Sequence, residues 1–61
     1  MVTSEAEAKA RVEADGGVYV AKLSSRNRQV FWIERRGKWA IISARSDGYV
    51  DLTYQDQCRS C

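Results

Sequence analysis

The chain has 61 residues, 44% of them hydrophobic, with two Trp, three Tyr and one Phe, and its ten basic and eight acidic residues leave a formal charge of +2. That composition excludes a disordered tail, the charge is too small to announce a polybasic segment for nucleic acid or membrane, and no stretch approaches the ~20 apolar residues that span a bilayer. At this length folding hides only about 60% of the unfolded surface, so stability is thin, and a disulfide, a metal or a partner subunit would each supplement it.

The chain reads as one domain over residues 1–61, without repeats, proline or linkers. Ser4 to Ala14 is almost entirely Glu, Ala, Lys and Arg, which are strong helix formers. Ser4 followed by Glu7 has the spacing of a capping box. Glu5 with Lys9 and Glu7 with Arg11 are acid-first i,i+4 pairs, and Gly16-Gly17 supplies a left-handed stop. These features predict a helix over about residues 4–15. The alternation of Ala6, Ala8, Ala10, Val12 and Ala14 with charge is a strand period, but Ala, Glu and Lys are depleted in strands, and a strand has no use for a capping box.

From Val18 onward β-branched and aromatic residues come in short bursts between polar or glycine turns. Strands are predicted at about 18–23, 29–35, 38–44 and 49–54, with a flexible tail at 55–61. Arg36-Gly37 and Asp47-Gly48 suit two-residue hairpins, and Ser24 to Arg28 forms a polar loop. The expected fold is therefore α+β: one N-terminal helix packed on a four-stranded antiparallel meander.

Two-residue hairpins would set Trp32 opposite Ile41 and Ser43 opposite Leu52, and strand alternation then assigns two faces. One carries Val18, Val20, Val30, Trp32, Trp39, Ile41, Val50, Leu52 and Tyr54, and is the face the helix is expected to cover, with Ala against Trp. The other carries Tyr19, Leu23, Phe31, Ile33, Ala40 and Ile42, too apolar to meet water unaided. One helix shields one face, so Tyr19, Phe31, Ile33, Ala40 and Ile42 are the candidate protein-interface residues. On this reading Ile33→Asp leaves the secondary structure intact and abolishes association. The alternative is that a bulge redistributes these residues, or that sheet curl and long basic stems cover them.

Nothing in the chain assembles catalytic machinery. Histidine is absent, which removes the commonest general base and metal ligand. The carboxylates divide between the helix and scattered sheet positions, and Asp47 is explained by its turn. Gly16-Gly17 follows a helix rather than opening one, the wrong context for a phosphate loop. Cys58 and Cys61 form a lone Cys-x-x-Cys with no helix to follow, unsuited to redox catalysis. They supply two of the four ligands of a tetrahedral zinc site, which would need completion across a dimer. The expectation is no enzyme, no cofactor and no metal beyond that weak pair.

Arg26, Arg28, Arg35, Arg36 and Lys38 are the nucleic-acid-binding candidates, since guanidinium groups bind phosphate bidentately and stack on bases. In a meander they fall at opposite sheet ends, and their plainer role is to solubilise turns. Trp32, Trp39 and Tyr54 could similarly stack bases, but a chain this small needs them in its core. The reading that emerges is a non-catalytic interaction module. It would be a small cytoplasmic accessory or inhibitor protein that pairs with itself, as a homodimer, or with another protein, with nucleic-acid binding as the alternative. The absence of a signal-peptide pattern and of a spread cysteine framework supports the cytoplasmic expectation.

Overall fold

The computed structural model describes residues 1–56. Its α+β architecture is one helix, α1 (Glu5–Ala14), against an antiparallel sheet of β1 (Val2–Thr3), β2 (Val18–Tyr19), β3 (Arg28–Ile33), β4 (Lys38–Ala44) and β5 (Val50–Asp56). The sheet has five strands in the order β1-β5-β4-β3-β2. This corrects the four-stranded meander: the residues before the helix return to pair with the last strand. The Met1 ammonium donates to the Leu52 carbonyl at 2.9 Å, and the Leu52 amide donates back to the Met1 carbonyl at 2.7 Å. No helix among the described residues is long and apolar enough to cross a membrane.

The helix forms where its caps predict. Ser4 Oγ accepts from the Glu7 amide at 3.2 Å, satisfying one of the donors left open at a helix start. The Glu7 carboxylate pairs with Arg11 at 3.5 Å and that of Glu5 with Lys9 at 3.3 Å. Glu5 also accepts from Gln29 Nε2 at 3.1 Å, tying the first turn to β3. These hydrogen bonds, Gln29's foremost, and the Lys9 charge hold the Glu5 carboxyl below its ordinary pKa. At the other end Gly16, at φ +84°, donates to Glu13 O, and Gly17 donates to Val12 O, each at 2.9 Å. This is the paired closure of a Schellman motif.

Strand β2 ends at Tyr19 rather than at residue 23, because Ala21–Leu23 turn into a 3-10 helix. Ser24 is the reason the turn is stable. Val20 still donates to the Val30 carbonyl at 2.9 Å, but the rest of the rung is completed by a side chain. Ser24 Oγ donates to the Val20 carbonyl at 2.7 Å and accepts from the Val30 amide at 3.0 Å. Ser24→Ala strands both backbone groups in partly buried surroundings and should cost about 1–3 kcal/mol, read as a lowered midpoint in urea unfolding. An unchanged midpoint would mean that water replaces the hydroxyl at no cost.

Both hairpin turns are longer than two residues, with different consequences. Between β3 and β4, Ile33 pairs with Lys38 and Trp32 with Trp39, so four residues make the turn. Trp32 therefore lies opposite Trp39, not Ile41, a shift of two that keeps every side chain on its expected face. Between β4 and β5, Ala44 pairs with Val50 and Ile42 with Leu52, leaving residues 45–49 as the turn. Asp47 holds it, accepting from the Tyr49 amide at 3.0 Å and from Arg45 Nε at 3.2 and 3.3 Å. The Tyr49 amide bond is the main cause that lowers the Asp47 pKa. This turn shifts the register by one, an odd number, and so turns β5 over.

Val50 and Leu52 accordingly join Phe31, Ile33, Ala40 and Ile42 on one face, and α1 covers that face with Ala8 and Val12. The expected assignment is thereby reversed: the helix lies on the Phe31–Ile33 face and not on the Trp32–Trp39 face. The physical reason is size. Ala40, fully buried at the centre of the covered face, lets an alanine-rich helix approach closely, whereas two indoles at the same level would hold it away.

Candidate interaction surface

Of the five sequence-derived interface residues, four form the hydrophobic core. Phe31, Ile33, Ala40 and Ile42 are 7%, 0%, 0% and 2% exposed, and α1 rather than a partner covers them. Tyr19 alone is open, at 52%. Its ring meets Phe31 edge-on with centroids 5.5 Å apart, and it rims a depression of about 340 Å³ shared with Lys9, Glu13 and Gln29.

Among the described residues, the uncovered surface is the opposite face of the sheet. Register places three rows of side chains there, reading across β5, β4 and β3: Asp51, Ser43 and Arg28; Thr53, Ile41 and Val30; Gln55, Trp39 and Trp32. Val18 of β2 continues the last row beside Trp32, and Val2 of β1 continues the first beside Asp51. Trp32 and Trp39 pair across the strands with ring centroids 4.8 Å apart and planes tilted by 51°. Such cross-strand aromatic pairs stabilise a sheet. The indoles remain half-buried, and Val18, Val2 and Leu23 are exposed. Val30 and Ile41 are buried within this face, outside the core under the helix. Beside them Leu23, Arg28, Trp39 and Gln55 rim an open groove of about 340 Å³.

The two tryptophans were expected beneath the helix, and their place on the open face is what sequence reasoning missed. One signal for it was present. The odd-length turn at residues 45–49 is implied by an Asp47 side chain able to cap Tyr49, a two-residue reach that extends the loop. Tyr54, expected with them, lies on the helix side opposite Ala40.

The basic candidates fall into separate places. Arg36 pairs with Asp15 at 3.5 Å and Lys38 with Asp56 at 3.9 Å, while the Arg35 stem lies beside Gly16. Arg26 borders a small depression near Glu5 at the opposite sheet end. Arg28 lies on the open face, with no carboxylate within 4 Å among the described residues. Fold and register thus disperse these five side chains and put one of them, Arg28, on the face that carries the tryptophans. Cys58 and Cys61, the weak metal candidates, lie outside the described residues.

Across this surface the aromatic pair holds one end row, aliphatic side chains the middle row, and the single charges Arg28 and Asp51 the other end row. Searches of protein-family models, curated proteins and solved structures find no match for this chain.

Proposed function

We propose that this protein is a non-catalytic interaction module of the cytoplasm, an accessory or inhibitor-like protein that binds another polypeptide through the open sheet face. The observation that carries the reading is the Trp32–Trp39 pair left outside the helix-covered core in a chain with so little apolar area to spare. A 61-residue domain stabilises itself through its largest side chains. Placing two indoles where water reaches them forgoes part of that burial unless a partner completes it. Tryptophan and arginine are also the residues that dominate binding energy at protein interfaces, and Trp39 and Arg28 line one groove.

The test is a photo-crosslinking residue, p-benzoylphenylalanine, placed at Trp39 and, as a control, at Glu13 on the exposed side of the helix. The position-39 variant should give a product of discrete mass in cells, and the position-13 variant should not. Equal, diffuse labelling from both positions would reject the open face as a binding surface.

A further inference from the structure

The open face has a pattern that selects its occupant, and on the reading above we infer that the occupant is a second copy of this chain. The two copies pack face to face about a two-fold axis running along β4. Such an axis keeps each row at its own height and exchanges the β3 and β5 sides. Two matches follow from the register and a third from the register together with the groove that Leu23 rims.

Arg28 is the only charged residue that β3 presents to this face, and Asp51 is the only one from β5. They share a row with Ser43 between them, so the axis lays each Arg28 over the partner's Asp51, twice per dimer. Asp51 is 42% exposed and already receives the Met1 ammonium at 3.5 Å and Arg45 at 3.9 Å. Arg45 is held mainly by Asp47, at 3.2 Å, so acceptor positions on Asp51 stay open. Next, the β4 column meets itself, bringing Trp39 and Ile41 onto their own copies at the axis. Finally, the outer columns exchange. Val2, 51% exposed on the β1 side, comes to the β2 side, where Leu23, 50% exposed, overhangs the groove.

Face-to-face antiparallel sheets pack about 10 Å apart and within about 30° of aligned, a gap that an arginine and an aspartate reaching from opposite sides can close. An axis perpendicular to the strands would set Arg28 over the partner's Trp32 and Asp51 over the partner's Gln55, leaving the carboxylate unmatched. The strand-parallel axis pairs each Arg28 with an Asp51.

The face spans five strands at about 4.8 Å spacing, a small interface, so the dimer should be reversible with a dissociation constant of roughly micromolar order.

The experiment is sedimentation velocity on the full chain and on two charge reversals. Arg28→Asp sets a new carboxylate against the partner's Asp51, and Asp51→Arg sets a new guanidinium against the partner's Arg28. Each variant alone should be monomeric at concentrations where the wild type is dimeric. An equimolar mixture should restore a dimer, because one of its two cross-pairs then joins the two native charges and the other joins the two introduced ones, each opposite in sign. Circular dichroism of each variant establishes folding. Where Asp51→Arg fails to fold, Asp51→Asn, which keeps the side chain's shape, should weaken the dimer about tenfold. Wild-type protein that stays monomeric overturns the second copy as occupant. A dimer that survives Arg28→Asp overturns the axis. A position-39 crosslink of other than twice the chain's mass, with the purified chain monomeric, would leave the open face a binding surface and reject self-pairing alone. No discrete crosslink and no dimer would reject both.

Discussion

Ile33→Asp is expected to unfold the protein. Ile33 is fully buried beneath α1, in a cluster with Ala8, Val12, Phe31, Ala40, Ile42, Val50 and Leu52. The substitution removes apolar contacts, for which truncation of a core isoleucine alone costs about 2–5 kcal/mol. It also places a carboxylate inside an apolar cluster, which costs several more or forces protonation even with Lys38 opposite it on β4. A domain of 61 residues has about 3–9 kcal/mol of stability in total. The sum exceeds what the fold can lose. Far-UV circular dichroism at neutral pH should show loss of the native spectrum, and thermal scans should show no cooperative transition. The comparison is Val18→Asp on the open face, where the side chain is 63% exposed and the expected change is within about 0.5 kcal/mol. Were Ile33→Asp to melt cooperatively like Val18→Asp, the helix could not be lying on the Phe31–Ile33 face.

Gly17→Ala should be the most damaging of the small substitutions. The Gly17 amide donates to Val12 O at 2.9 Å, which draws its α-carbon against the helix. A Cβ there would run into Val12 Cγ1 and lie 3.0 Å from Val12 O. Val12 cannot yield, because it is fully buried against the sheet. Overpacking of this kind costs about 1–3 kcal/mol. In a domain this size each kcal/mol lowers the midpoint by about 4–8 °C. Gly37→Ala is the control: φ is +63° there with nothing within 4 Å of the added methyl, so only the left-handed backbone penalty of about 1–2 kcal/mol applies. Differential scanning calorimetry of the pair separates the two causes. A midpoint for Gly17→Ala at or above that of Gly37→Ala would show that the Val12 contact relaxes freely.

Core variants also serve as controls for the open face. Were Phe31, Ile33, Ala40 and Ile42 at an interface, as strand alternation with two-residue turns implies, substitution there would change association with the fold intact. Beneath the helix the same four side chains govern folding, and the proposed association would depend instead on Trp39, Arg28 and Asp51.

Much of the fold was legible because it rests on local chemistry. Ser4, the Glu5–Lys9 and Glu7–Arg11 pairs, and the two glycines act within a few residues of one another, so α1 begins and ends within a residue of expectation. Strand β4 matches its predicted limits, and the pairing of β3 with β4 errs by two residues, which leaves the faces intact. Strand β1 was not legible. Two residues, Val2 and Thr3, carry no periodicity, and they become a strand only because β5 offers them an edge. The 3-10 turn at Ala21–Leu23 was hidden in a run that reads as strand, since its cause is the reach of Ser24 to Val20 and Val30.

Residue order alone was enough for the α+β class, the helix and its caps, the antiparallel hairpins, and the presence of more apolar sheet surface than one helix can cover. Which surface stays open was settled by long-range packing. Alternation makes the choice of face depend on whether each turn holds an odd or an even number of residues, and the odd count of five at residues 45–49 moves Val50 and Leu52 to the Phe31 side. The helix then takes the face with Ala40 at its centre, where close approach is possible, and leaves the tryptophans outside.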